Sequence, residues 1–372
     1  MMISKADCKK RMMCEWDRHD GIIMIWPDRP GTWGRVSDEL LEDFLNVYSK
    51  IAESEVLLLA VRPGTKDRVS DYMTFHGMDM SNIRIEEIDY DDSWARDISP
   101  MILIGDDGRK SAAVFGFNAW GGSYNGLYQD FDKDADFSEK ISGLLSLDTE
   151  IIRRPDGSPF ILEGGSIHTD GQGTLMTTEA CLLSPGRNPG MNKQEIEETL
   201  LSATGCEKML WLPRGLIEDE TDEHVDNVCT FARPGEVILA FTDNRNDSQY
   251  SLTEETYNYL LNERDARGRK LKIDKLPLPN PIYVTKEEAD SIEAAPGEQP
   301  RLPGERLAAS YVNFCRTNKS VLVPQFGGEN EEKDHKAIEI LGRIFPDKEI
   351  YPVNAGRFLL GGGNIHCLTH EY

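Results

Sequence analysis

The chain has 372 residues, 39% of them hydrophobic, and carries 41 lysines and arginines against 65 aspartates and glutamates, a formal net charge of -24. That length supports a large buried core, and that charge repels a phosphate backbone while drawing small cations to the surface, which argues against nucleic acid as a partner. The seven cysteines (Cys8, Cys14, Cys181, Cys206, Cys229, Cys315, Cys367) form an odd, scattered set without a CxxC pair. They fit neither a secreted disulfide framework nor a thiolate zinc site, so a cytoplasmic protein is expected. The N-terminal residues mix charges of both signs without an apolar stretch, and the longest apolar runs are strand-sized, so neither export nor a membrane span is expected.

In chain order, strands are predicted at Ile22 to Trp26, Val56 to Val61, Ile83 to Ile88, Met101 to Ile104, Ala112 to Phe117, Ile151 to Arg153, Leu175 to Thr178, Met209 to Leu212, Val237 to Phe241 and Val321 to Val323. Single helices are predicted between them. The clearest runs from Asp38 to Ser54, where Leu40, Leu41, Phe44, Leu45, Tyr48 and Ile51 recur at helical spacing behind a Ser37 cap. Others are Lys66 to His76, Lys193 to Ala203 behind an Asn192 cap, Glu254 to Glu263 and Lys333 to Arg343. The proline- and acid-rich stretch from Leu276 to Arg306 reads as a long surface loop, and nothing resembling a linker divides the chain.

Four polar stretches stand out. In Asp91-Asp92-Ser93-Trp94-Ala95-Arg96-Asp97, Asp97 and the Trp94 ring can hold a cation, or Arg96 and Asp97 can be a structural ion pair. In Phe160-Ile161-Leu162-Glu163-Gly164-Gly165-Ser166-Ile167-His168, a carboxylate at the end of an apolar run is partly buried and needs a partner. In the acidic run from Glu218 to Asn227, an extended backbone would put His224 and Asp226 on one face; a solvated acidic loop or a divalent-cation site are the competing readings. In Gly361-Gly362-Gly363-Asn364-Ile365-His366-Cys367, the glycines suit presentation of the thiol at a sharp turn, or form a plain turn with a free cysteine. Cys181, Cys229 and Cys315, by contrast, sit in apolar strand-like runs. The stretch Asp130 to Asp134 begins like a calcium loop but has Ala135 where glycine belongs and Ile141 where glutamate belongs. Asp97, Glu163, Asp226 and Cys367 are 66, 63 and 141 positions apart, the last close to two periods, which hints at one α/β unit repeated around a common centre.

Taken in order, Trp94 to Asp97, Leu162 to His168, Asp222 to Asn227 and Gly361 to Cys367, with Met24 to Pro27, Phe117 to Gly122 and Leu182 to Pro189, make the chain resemble the agmatine deiminases of the peptidyl-arginine deiminase superfamily. The resemblance covers nearly the whole sequence. It implies a single catalytic domain over 1–372 with a five-bladed α/β propeller, the pentein fold, built of ββαβ-type units about a pseudo-fivefold axis. It implies hydrolysis of agmatine to N-carbamoylputrescine and ammonia, in putrescine metabolism, with no cofactor and no metal. Matched residue by residue, Cys367 is the nucleophile, His224 the general acid and base, Glu163 its orienting partner, and Asp97 and Asp226 the guanidinium clamp. A departure is Glu223 before the histidine, where glycine is expected.

A guanidinium is best held by carboxylates, and its carbon is so poor an electrophile that a covalent route through cysteine is reasonable. The acidic surroundings favour agmatine, with its second cation, over arginine. Glu220 is expected to meet the distal ammonium, ahead of Asp222 or Glu223, with Trp94 walling the aliphatic stem. Arg96 and Arg187 are the alternative anchors for an arginine carboxylate. An arginine or peptidyl-arginine deiminase and a non-catalytic cation-binding protein remain the competing functions, and a homo-oligomer stays open.

Overall fold

The computed structural model describes residues 9–295 and 298–372, so Cys8 and the first residues of the N-terminal stretch lie outside the described residues. Every predicted strand overlaps an observed one. The described residues form five sheets of three or four strands and one two-stranded sheet, and none of these closes on itself.

The five larger sheets repeat one pattern. An antiparallel pair is followed by a helix that returns the chain to a parallel third strand, as a parallel neighbour requires. Met101–Gly105 pairs antiparallel with Lys110–Val114, and Phe137–Leu144 leads to the parallel Asp148–Ile151. His168–Thr169, Thr174–Thr178 and Lys208–Leu212 do the same around the helix Lys193–Thr204. Cys229–Arg233, Glu236–Phe241 and Lys272–Pro277 follow around Gln249–Asn262, then Cys315–Arg316, Ser320–Gln325 and Glu349–Asn354 around Glu331–Ile344. In the fifth sheet His370–Glu371 pairs antiparallel with Gly21–Ile25, which is parallel to Val56–Val61 across the helix Asp38–Ala52.

Local chemistry accounts for these elements. Ser37 accepts a hydrogen bond from the Leu40 amide at 3.2 Å to start Asp38–Ala52, whose Leu40, Leu41, Phe44, Leu45, Tyr48 and Ile51 are all buried. Asn192 and Glu195 form a reciprocal capping box at the next long helix. Central strands such as Val56–Val61 are buried on both faces, each Leu or Val contributing roughly 1.5–3 kcal/mol of burial.

Two expectations change, and the calcium-like stretch set aside above gains a structural role. Cys181 lies in the short helix Glu179–Leu182 and not in a strand, because the Thr178 hydroxyl caps the chain into a turn there. The stretch Leu276 to Arg306 is no plain loop. It carries the pair Ile282–Tyr283 with Arg306–Leu307 and the capped helix Lys286–Ser291, and its residues 298–305 fold back over the site described below. The calcium-like stretch holds the short helix Asp132–Ala135, where Asp134 is buried and accepts hydrogen bonds from the Asp91 amide (2.7 Å) and the Tyr128 hydroxyl (2.6 Å). It therefore organises the turn that leads to Trp94. No helix among the described residues is long and apolar enough to cross a membrane.

The repeat also places the polar residues. Asp97 precedes Met101–Gly105, Glu163 precedes His168–Thr169, Asp226 precedes Cys229–Arg233 and Cys367 precedes His370–Glu371. The remaining sheet begins at Cys315–Arg316, and Asn313 lies two residues ahead of it. The double interval between Asp226 and Cys367 thus contains a fifth equivalent position.

Candidate active site

Asp97 sits in the single turn Ala95–Ile98, buried, with both oxygens held. The Gly165 amide donates to Oδ1 at 2.8 Å and the Trp120 indole N–H to Oδ2 at 2.8 Å. Arg96 turns the other way, its Nη2 2.7 Å from Glu371 Oε2, so Arg96 and Asp97 are not an ion pair. Trp120 takes a left-handed backbone conformation, φ 60°, uncommon for a bulky residue and of the kind that gathers at functional sites. Burial pushes the Asp97 carboxyl up to about 6, against the pull of His224, and the nearby Asp226 and Glu163 carboxylates add to the rise.

His224 is followed by the 3-10 turn Val225–Asn227, so the extended run expected there is wrong, yet the turn still delivers His224 and Asp226 to one place. A β-carbon added to Gly165 would lie 2.8 Å from both Asp226 Oδ2 and His224 Nδ1 and 2.9 Å from Asp97 Oδ1. Glycine is what lets those three groups converge. On the other edge of the imidazole, Nε2 lies 3.7 Å from Glu163 Oε2, an ion-pair distance beyond hydrogen-bond range. Burial works against protonation of His224, but Asp97 first, then Cys181 and Glu163, hold its pKa well above the usual value. Glu163 is fully buried and is kept ionised, at about 2, by Arg187 and His224 against the cost of burial.

Arg187 donates 2.6 Å bonds to Asp222 and to the Trp120 carbonyl, and its Nε is 2.9 Å from Glu163 Oε1. Arg96 and Arg187 are thus both internal struts and neither is available to a substrate carboxylate. Glu163, Cys181 and His224 offer ligand atoms within 4.8 Å of one another, but the Arg187 guanidinium occupies the remaining side of Glu163 and opposes a cation there.

Cys367 is buried, its Sγ 3.7 Å from Asp226 Oδ2 and 3.2 Å from the donating amide nitrogen of Asn313. Burial, with Asp226 and Asp97 nearby, holds the thiol pKa well above the usual value. Asp226 itself is kept below the usual carboxylate range by His366, which outweighs burial, and its Oδ1 has no partner. Asn313, Trp120 and His366 are the residues the sequence reading did not assign to the site, and Arg187 was expected only as an alternative anchor for an arginine carboxylate; the doubled interval before Cys367 was the available signal for Asn313.

The acidic run is not a solvated loop. Asp219 accepts from Asn227 at 2.9 Å, Asp222 is held by Arg187, and Glu223 binds Arg214 and the Gly215 amide. Glu223 adopts φ 68°, which explains why glycine suits that position. Asp222 and Glu223 are therefore unavailable to a distal ammonium. Glu220 does reach the cavity, where Arg301 from the folded-back segment pairs with it and also donates to the Leu360 carbonyl at 3.1 Å. The inner cavity, about 30 Å³, is lined by Trp94, Asp97, Trp120, Glu220 and Cys367, and shares the Trp94, Trp120 and Glu220 walls with an outer one of about 720 Å³ between Tyr128 and the 298–305 segment. Trp94 is fixed by its indole N–H to Asp92 at 3.1 Å and packs over Gly363.

Residues 11–372 match the Porphyromonas-type peptidyl-arginine deiminase family. The chain belongs to that family. A relative from Selenomonas ruminantium, provisionally named an agmatine deiminase, is 46% identical over 97% of this chain and 95% of its own length. The agmatine deiminase of Pseudomonas aeruginosa strain LESB58 is 43% identical over the same shares. Among solved structures, the agmatine deiminase of Enterococcus faecalis superimposes with a TM-score of 0.89 at 38% identity, covering 98% of this chain and 95% of that one. The fold is therefore the mixed α/β fold of these deiminases.

Proposed function

We propose that the chain hydrolyses agmatine to N-carbamoylputrescine and ammonia, as its relatives' names indicate for them. The observation that carries the chemistry is the convergence of the Asp97, Asp226 and His224 side chains around Gly165, with the Cys367 thiol beside Asp226. The two carboxylates accept the fork of guanidinium N–H donors, Asp226 through its unpartnered Oδ1. The Cys367 thiol loses its proton to solvent as the cation arrives, and the thiolate forms a bond to the guanidinium carbon. Imidazolium His224 protonates one amino group, whose C–N bond breaks to release ammonia and leave an amidino group on sulfur. Neutral His224 then takes a proton from water as the oxygen adds to that carbon. Collapse breaks the C–S bond, gives the urea, and returns the hydroxyl proton to sulfur. Glu163 holds His224 charged for the first proton transfer.

Agmatine is favoured over arginine because Arg96 and Arg187 are engaged in internal pairs, whereas Glu220 stands at the mouth; the distal ammonium takes the place that Arg301 occupies beside it. The repeated sheets, each preceded by an equivalent polar residue, support a five-bladed propeller over 1–372 with the site at its axis. The six described cysteines are buried and free, the state a reducing cytoplasm maintains. The test is ammonia release by the purified chain. Agmatine should yield ammonia and N-carbamoylputrescine while arginine yields neither; release from arginine alone, or no release from agmatine by folded protein, refutes the proposal.

A further inference from the structure

Behind Asp226 lies a buried chain of ionisable groups that the reaction above does not use. His366 Nδ1 is 2.9 Å from Asp226 Oδ2, and His366 Nε2 is 2.7 Å from Glu15 Oε1. The same Glu15 oxygen is 2.9 Å from His168 Nε2, and its other oxygen is 3.8 Å from Arg316. Glu15 belongs to the N-terminal part of the chain, far in sequence from every residue of the proposed reaction, yet it is buried at the back of the site.

An ionised carboxylate only accepts hydrogen bonds, so a ring held between two of them donates from both nitrogens and carries a proton on each. Burial works against that charge, as does Arg96, whose own partner is Glu371; Glu15 and Asp226 outweigh both and raise His366 to about 9. His370, the other ionisable group nearby, is pushed down to about 4 by burial and by Arg96, so it adds no positive charge near neutrality. With Oδ2 of Asp226 engaged, its buried Oδ1 is left without a partner. An unpartnered buried carboxylate oxygen is costly unless a donor arrives.

We propose that Glu15 and His366 are positioning residues that fix Asp226 so that its free Oδ1 faces the substrate guanidinium. This rests on the assignment of Asp226 to the clamp. Neither residue touches the reacting atoms. Glu15 orients the imidazolium, and the imidazolium orients the carboxylate.

Two replacements of His366 separate this role from packing. The amide nitrogen of asparagine overlays the position of Nδ1, and that of glutamine the position of Nε2. His366→Asn therefore keeps a donor on Asp226, and His366→Gln keeps one only on Glu15. With agmatine as substrate, His366→Asn should stay within about tenfold of the unmodified kcat/KM. His366→Gln should lose about a hundredfold, with a raised KM, since one charge-assisted hydrogen bond is at stake. Glu15→Gln should fall between them. Equal losses in the asparagine and glutamine variants, or unchanged kinetics in Glu15→Gln, overturn the proposal. A second measurement needs no variant: in the unmodified enzyme labelled with 15N-histidine, the His366 ring should show two protonated nitrogens at pH 7, and a neutral ring there overturns the proposal. If the unmodified protein releases no ammonia from agmatine, the functional reading fails, and the labelled ring still decides whether His366 is clamped as described.

Discussion

Gly165→Ala is the most exacting test of the geometry, because it adds one carbon to the point where the site converges. The backbone there does not require a positive φ, so alanine imposes no conformational strain of its own. Its β-carbon would stand 2.8 Å from Asp226 Oδ2 and His224 Nδ1 and 2.9 Å from Asp97 Oδ1, whereas ordinary contacts lie between 3.4 and 4 Å. The three groups must retreat by about half an ångström or more, and Asp97 is tied to the Gly165 amide and the Trp120 indole as it does so. A displacement approaching 1 Å at reacting groups costs on the order of a hundredfold in rate. Overpacking at one site costs about 1–3 kcal/mol of stability, which leaves a folded protein. Steady-state ammonia release should therefore fall in kcat/KM by at least about a hundredfold, while urea denaturation shows a loss within that stability range. A folded Gly165→Ala enzyme with kcat/KM within threefold of the parent would show that the three groups do not meet around the substrate.

The remaining tests follow from the same distances. Cys367→Ser should retain stability within about 1 kcal/mol but lose turnover on the order of a million-fold, and acid quenching of the unmodified enzyme should trap an amidino group on Cys367; an adduct on another cysteine contradicts the route. Cys229→Ser and Cys315→Ser should spare turnover per folded molecule, measured beside the same stability assay; Cys181 is no longer a fair control, since its sulfur lies beside His224. Glu163→Gln should depress kcat more than it raises KM, because the amide stabilises an imidazolium less well, and a raised KM with unchanged kcat would count against that role. Asp97, raised to about 6, is charged above that pH and neutral below it, so kcat/KM should fall about tenfold per unit as pH drops below about 6. Asp97→Asn should abolish that limb, and its persistence in the variant would assign it to another group.

Much of this site was legible because its residues have strong local signatures. The strands were found from runs such as Val56 to Val61, which are apolar throughout because both faces are buried, and the helix after Ser37 from its spacing and cap. The interval between Asp97, Glu163 and Asp226 pointed to a repeat whose equivalent turns precede successive sheets. What failed to show was whatever depends on partners distant in sequence. Arg187 looked like a free cation because nothing near it in the chain announces Glu163 or Asp222. Glu15 carries no motif at all, and its meaning lies in a contact with a residue 351 positions away. The stretch from Leu276 to Arg306 looked like loop because its prolines and acids mark turns, while Arg301 and the short strand pair act only through the surface they fold back upon.

The electrostatics of the site fit a binding cleft that is completed by its ligand. Four carboxylates, Asp97, Glu163, Asp226 and Glu15, lie buried within one connected cluster, and each fixed cation there is already spoken for: Arg187 by Glu163, His366 by Glu15 and Asp226, Arg96 by Glu371. His224 is the cation left to face Asp97, and Cys367 stands on the acidic side of it with its pKa raised. In that state a thiolate would add a further negative charge among like charges, which is why the resting sulfur keeps its proton. On the proposed route, a guanidinium entering between Asp97 and Asp226 offsets their negative charge at sulfur, lowering the cost of ionisation at the same moment that it presents its carbon. Under this proposal, nucleophile activation is tied to substrate charge. A neutral isostere of agmatine that filled the same space would leave the thiol protonated, and ultraviolet absorbance of the thiolate should rise on adding the cationic ligand and not on adding the neutral one. A thiolate signal already at its maximum in the empty enzyme near neutral pH would mean that the protein alone, and not the substrate, ionises Cys367.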